Sequence, residues 1–326
     1  MGLGARSSSG CGETQQRAAA HQRGQGALGS QLLARFAPSR SNGAHAVNRI
    51  TSRDNQHFRH LHRLARSAKE RRGGGEVLLD GVHLIDTYVA AFGADDLQLV
   101  ARASSVEREE VSSRLRLARD ALVLSDTLFD EISPVVTPTG LLAVAPIPRP
   151  GLMIAKPDGD RFSVFLDGLQ DPGNLGAVLR SAAAAGGGDV FLSAQCADPW
   201  SPKCLRAGMG AHFQLAALHD RVELLETVRG FQGRLIAADS HGERSLFEAD
   251  LEGTVGFIIG GEGAGIAPGL LELAAERVRI PMAAGVESLN VAAAATLVFY
   301  EWRRQQSSDG DFAAAGRVGC REGQRA

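Results

Sequence analysis

Between residues 162 and 304 the chain alternates short apolar runs with helix-forming segments, and this alternation constrains the fold more than any other feature. FSVFLD, DVFLS, QLAAL, RLIAAD, TVGFIIG and RVRIPM read as strands, with helices expected over 174–185, 202–210, 220–230, 268–276 and 288–304. Strands that alternate with helices build a mostly parallel sheet covered on both faces, an α/β architecture. The ligand site of such a sheet lies at the carboxyl ends of its strands. Three loops are therefore singled out: those after Leu166-Asp167, after Ile258-Ile259 and after Ile280-Pro281.

A smaller α/β unit is expected upstream. EVLLDG, LQLVA, LVLS and TGLLAVAPIP read as its strands, with helices over 82–92, 105–118 and 126–132. In NRITSRDNQHFRHLHRLARSAKERR, Phe58, Leu61, Leu64 and Ala68 fall at helical spacing among Arg and His, which makes a basic amphipathic helix. The Pro/Gly run over 146–151 reads as a linker. The expected units are thus 46–147 and 160–306, with a flexible tail over 307–326. Residues 1–45 are rich in Gly, Ala, Ser, Arg and Gln without apolar periodicity, as in a disordered basic extension. Three origins for it stay open: an arm that binds a polyanion, an organellar transit peptide, or a start assigned too far upstream.

Charge is unevenly spread. Residues 1–72 hold 13 Lys and Arg against three acidic residues, +10, which leaves −12 for the remainder of a chain with net charge −2. A basic arm on an acidic body points to a polyanionic partner or to a solvated tail. No apolar run reaches the roughly 18–20 residues that span a bilayer. Cys11, Cys196, Cys204 and Cys320 show no metal-ligand spacing, so free thiols, no metal and a reducing compartment are expected. The cytoplasm is the expected location, or an organelle if residues 1–45 are a transit peptide.

The first loop carries Asp-Pro-Gly-Asn, with Asn174 suited to N-cap the helix behind it. Arg180, two turns into that helix, reads as an interdomain ion pair or a snorkelling side chain, or as a group that holds a phosphate or assists a proton transfer. The second loop, GGEGAG over Gly260–Gly265, fits neither the dinucleotide fingerprint nor a Walker loop, which argues against a Rossmann oxidoreductase. Its glycines would let backbone groups approach a ligand closely, and Glu262 would accept a ligand hydrogen bond or cap a helix end. In the third loop Ser288 and Asn290 suit a helix N-terminus, whose free N–H groups also suit a carboxylate. The helix that follows places Val291, Ala295, Val298 and Trp302 close to one stripe, which reads as core packing, and Ala294, Phe299 and Tyr300 widen it enough to suit a subunit contact.

Taken in order, LDGLQDPGNLGAVLRSAAAAG, FIIGGEGAGI and IPMAAGVESLNVAAAATLVFYE resemble the three motifs of the SpoU/TrmH family of RNA 2′-O-ribose methyltransferases. DPWSPKCLRAGMGAHFQL is similar to the family's segment between its first two motifs, and ITSRDN, ERRGGGEVLLDGVHLI and VVTPTGLLAVA look like its RNA substrate-binding domain. The resemblance covers residues 48–305. It implies a C-terminal SPOUT domain with a parallel sheet and a deep trefoil knot, preceded by a small α/β RNA-binding domain. It also implies a homodimer with the third-motif helix in its interface, and S-adenosyl-L-methionine bound bent in the knot. Carried over position by position, Gly260, Ile280 and Leu289 line that cofactor, with Gly261, Glu262, Met282 and Ser288 nearby. Asn174, Arg180, Glu262, Ser288 and Asn290 form the catalytic set, in which Arg180 holds an RNA phosphate or helps deprotonate the 2′-hydroxyl, and Asn174 fixes Arg180 and the substrate by hydrogen bonds. The implied activity is methylation of a ribose 2′-hydroxyl in structured RNA, rRNA before tRNA; the alternative is a catalytically silent member that acts as an RNA-binding ribosome-assembly factor. The chain departs from the family in carrying Asp80-Gly81 for Glu-Gly, and in the slack Gly186-Gly187-Gly188 after its first-motif helix.

Overall fold

The structure, a computed structural model, describes residues 47–149 and 161–306, apart from positions 117, 119, 134, 136 and 137. The expected extension over 1–45, the tail over 307–326, and Cys11 and Cys320 lie outside the described residues.

The first sheet contains β1 (Val47–Ile50), β2 (Glu76–Asp80), β3 (Gln98–Arg102), β4 (Asp120–Leu124) and β5 (Leu141–Pro146), in the order β1-β4-β3-β5-β2. β4 runs parallel to β1 and β3, while β5 is antiparallel to β3 and β2. Its helices are α1 (Gln56–Arg66), α2 (Ala68–Gly74), α3 (Val82–Phe92), α4 (Glu109–Leu115) and α5 (Asp126–Ile132). In β2 successive residues serve two cores. Leu78 packs with Phe58, Leu61 and Leu64 of α1 and Phe129 of α5, whereas Val77 and Leu79 join the main core on the other face. A strand buried on both faces reads as a continuous apolar run, as EVLLD does.

The second sheet has seven strands: β6 (Ser163–Asp167), β7 (Asp189–Ser193), β8 (Ala217–Val222), β9 (Arg234–Ala238), β10 (Arg244–Ser245), β11 (Val255–Gly260) and β12 (Glu276–Arg279). Their order is β10-β12-β9-β11-β6-β7-β8, and every pairing is parallel. The α/β class and parallel sheet expected from the alternation are therefore present. The connecting helices are α6 (Pro172–Ala185), α7 (Pro202–Gly208), α8 (Leu224–Arg229), α9 (Pro268–Leu271) and α10 (Val291–Gln306). On one face α6 and α10 pack over Val164, Leu166, Phe257 and Ile259; on the other α8 and α9 cover Phe165, Ile258 and Leu235. Phe162, Phe299 and Trp302 are fully buried against each other, their ring centroids 4.7–5.0 Å from Phe162, and each such side chain stabilises the fold by about 1.5–3 kcal/mol.

Several expected elements differ. The single basic helix is broken at Ser67, whose extended backbone and side-chain bond to the Glu70 amide end α1 and N-cap α2. The helix expected over 105–118 is confined to Glu109–Leu115, and that over 268–276 to the single turn Pro268–Leu271. The QLAAL strand lies further along, at Ala217–Val222, because 211–213 form a 3₁₀ turn first. β1 and the two-residue β10 were not foreseen; both are edge strands held by one neighbour each.

The sheets are joined by a buried seam. The Arg71 guanidinium donates to Asp198 Oδ2 at 2.8 and 2.5 Å, and Arg72 Nε donates to Asp220 at 3.1 Å. Tyr88 of α3 meets Phe213 edge-on, with ring centroids 5.2 Å apart.

Candidate active site

β6 and β11 are neighbours, and their register sets Asp167 opposite Gly260, so the first two loops leave the sheet at the same level. Asp167 Oδ2 accepts the Ala267 N–H at 3.0 Å and ties the second loop to the first strand. Gly261 bridges Gly265, which closes GGEGAG into a tight turn with Glu262 exposed near its tip. A Cβ on Gly260 would collide with the Gly265 backbone, and one on Gly261 with the Gly168 carbonyl oxygen. The glycines thus serve the approach of one chain segment to another, a demand made before any ligand arrives.

The cap of α6 is Asp171, not Asn174. Asp171 Oδ1 accepts the Asn174 N–H at 2.9 Å, with Pro172 in the first helical position. Asn174 sits inside the first turn with its side chain released, because its own amide is already satisfied. Its Nδ2 donates to Glu262 Oε1, and its Oδ1 accepts from Asn290 Nδ2 at 3.1 Å. Asn290 Nδ2 also lies 3.4 Å from Glu262 Oε1. Asn290 Oδ1 accepts the backbone N–H groups of Ala292 at 2.9 Å and Ala293 at 3.4 Å, so capping α10 fixes which way its amide faces. Three polar side chains from the three loops therefore meet at the carboxyl end of the sheet.

The other expected site residues are placed differently. Ser288 does not open the helix; it sits in the exposed loop 281–290 and makes no hydrogen bond among the described residues. Arg180 follows Asn174 by six residues, about 240° around the helix, so it leaves α6 on another side. It is exposed, without a hydrogen bond or ion pair among the described residues, and Asn174 does not fix it in this chain. The next residue, Ser181, shares a 2.6 Å hydrogen bond with Thr296 of α10, beyond which Leu297 and Tyr300 are exposed. Ile280 packs at the edge of the main core, Gly260 and Gly261 are half-buried, and Met282, Val286 and Leu289 are exposed apolar side chains of the third loop.

Two charged pairs, Lys203 with Asp171 and Arg206 with Asp80, were not read from the sequence. Lys203 Nζ donates to Asp171 Oδ2 at 2.6 Å, and Lys203 together with the Asn174 amide holds the Asp171 carboxyl below the usual range. The Asp-Pro pair before α6 is the signal that marks Asp171 as the cap. Asp80, at the end of β2, is largely buried; burial pushes its carboxyl up to about 6, with Arg206 of α7 pulling the other way. Cys204 Sγ lies 3.7 Å from His212 Nε2, but both are buried. Burial raises the thiol and lowers the imidazole to about 4, so this pair is uncharged core. Among the described residues no group of three His, Cys, Asp or Glu could hold a metal, and no helix is long and apolar enough to cross a membrane.

Residues 161–300 match the model of the SpoU rRNA Methylase family. An uncharacterized tRNA/rRNA methyltransferase of Synechocystis is 35% identical over 264 residues, 79% of this chain and 94% of the relative. The 23S rRNA (uridine(2479)-2′-O)-methyltransferase of Streptomyces viridochromogenes is 30% identical over 282 residues, covering 84% and 98%. The crystal structure of the SpoU methyltransferase AviRb of that organism, in complex with the cofactor AdoMet, superposes with a TM-score of 0.68 at 28% identity over 77% of this chain and 98% of that one.

Proposed function

This chain belongs to the SpoU family of RNA methyltransferases, and from that premise we propose that it methylates a ribose 2′-hydroxyl of ribosomal RNA. The observation that carries the reading is the convergence of Asn174, Glu262 and Asn290 from loops 88 and 116 residues apart in sequence. S-adenosyl-L-methionine is the cofactor, and when bound it supplies a methyl group activated on a sulfonium. The second and third loops fit such a molecule: Ile280, Met282 and Leu289 offer apolar contact, Gly260 and Gly261 put no side chain in its way, and the Ser288 side chain is exposed.

Methyl transfer is an in-line displacement, so the enzyme's main task is to align the attacking oxygen and to ease loss of its proton. Glu262 and Asn290, each already held by Asn174, orient the hydroxyl. Arg180 serves the RNA phosphate beside the target ribose. Because Arg180 is exposed and makes no bond to the cluster among the described residues, while the next residue, Ser181, bonds Thr296 of α10, which also exposes Leu297 and Tyr300, our reading is a homodimer in which that face of α10 is covered and Arg180 works next to the partner's cluster. The first sheet, over about 46–147, is read as the RNA substrate domain. The placing of β11 between β6 and β9, with β12 beyond β9, supports the knotted path we infer for residues 160–306. The free, buried Cys196 and Cys204 support a reducing compartment, for which the cytoplasm is our proposal. A silent RNA-binding member is not favoured by any observation.

Calorimetry with S-adenosylmethionine and with NAD, followed by labelled methyl transfer to unmodified ribosomal RNA, tests the proposal. Binding of the first alone, with label on ribose, is expected; binding of NAD or label on a base would contradict it.

A further inference from the structure

Helix α7 buries Pro202, Cys204, Leu205 and Gly208 and leaves Lys203 and Arg206 exposed, as is Met209 at its end. These three positions recur every third residue: Lys203 and Arg206 are neighbours on the helix, with Cβ atoms about 5–6 Å apart, and Met209, its left-handed C-cap, ends the stripe. Contacts fix both ends of it. Lys203 lies on Asp171, three residues before Asn174 and bonded to its backbone N–H. The Met209-Gly210 turn presses on α3, where a Cβ on Gly210 would stand 2.7 Å from Thr87 Cγ2. Between them Arg206 is exposed on α7, and its charge acts on the Asp80 carboxyl at the end of β2. The stripe thus connects the candidate active site to the first sheet.

Two features single it out. Carboxylates of Asp167, Asp171 and Glu262 crowd the carboxyl end of β6 and β11, so a phosphate entering there needs a cation, and Lys203 is held there. Met209 has φ 49°, a left-handed conformation unfavourable for a residue with a Cβ, yet its side chain is 43% exposed rather than packed.

We propose that the Lys203–Arg206–Met209 stripe carries the single strand of RNA that flanks the target nucleotide. Lys203 and Arg206 neutralise neighbouring phosphates, and Met209 packs against a base. The stripe reads no sequence by itself; it sets how the strand crosses from the substrate domain to the cluster. This rests on the ribose methyltransferase reading above.

The test uses the full chain, titrated with a short fluorescein-labelled single-stranded RNA of mixed sequence at several salt concentrations, and a KM measured on transcribed ribosomal RNA. For the Lys203→Met, Arg206→Met double variant the salt slope should flatten by about 1.4, from roughly 0.7 per phosphate contact. Its KM should rise by about ten-fold or more with kcat kept. Lys203→Arg should restore binding, and Met209→Gly should raise both KM and Tm. An unchanged slope and KM would overturn the track while methyl transfer, and with it the function, stands. Loss of Tm or kcat at an unaltered KM would also overturn it, by reducing Lys203 to a structural partner of Asp171. If the wild-type chain transfers no methyl group, the function fails, and the salt slope still decides the track.

Discussion

Arg71 and Asp198 meet 127 residues apart with side chains only 4% and 8% exposed, whereas Asn174 and Asn290 meet 116 residues apart in the open. Both contacts bring distant segments together by hydrogen bonds, but their surroundings give them different consequences. At the seam water is excluded, so removing one partner strands a charge. At the cluster water replaces any lost bond, so the geometry adds little to stability and is available for chemistry. One region holds the two sheets together; the other is where we propose that the substrate binds.

The comparison can be broken most sharply at Arg180. Arg180→Ala should cut methyl transfer by about 10²–10⁴-fold with an unaltered melting curve, since the exposed side chain makes no bond among the described residues. Near-normal turnover would remove it from the mechanism. Arg71→Ala should do the reverse, with a loss of about 3–5 kcal/mol on denaturant titration and S-adenosylmethionine affinity retained in the folded fraction. A loss under 1 kcal/mol would mean that the seam is less critical than its burial implies.

Asp80 sharpens the contrast through pH. Its folded carboxyl titrates near 6 because burial disfavours its charge, well above its ordinary value of 3.8. The folded state therefore binds the extra proton, and this group's contribution is favourable at acid pH and lost as pH rises from about 4 through about 6. Asp80→Asn should raise stability at pH 7.5 by on the order of 2 kcal/mol and leave it nearly unchanged at pH 4. Equal effects at both pH values would contradict the burial argument. Asp171→Ala should give the smallest change, about 1 kcal/mol for a lost helix cap, and Asp171→Ser should recover it.

Much of the second sheet was legible because FSVFLD, RLIAAD and TVGFIIG are buried on both faces and carry a continuous apolar signal. The edge strands β1 and β10 were not, since a short strand with one neighbour leaves little pattern. Asn290 could be read from its place before an apolar helix. The cap of α6 is not legible from residue type, because Asp171 and Asn174 are both good caps, and only the Pro at 172 separates them. Glu262 and the glycines around it were visible as a loop, but their partners were not: Gly168 and Asn174 come from the other end of the domain, and no spacing rule reports such a contact.

The central claim is that the exposed cluster serves transfer of a methyl group to one ribose of ribosomal RNA. Ribose methylation mapped across total RNA, from cells with and without this gene, tests it most directly. The account predicts one 2′-O-methyl mark lost from ribosomal RNA and restored by the wild-type gene but not by an Arg180→Ala copy. An unchanged map, or a mark restored equally by both copies, would contradict it.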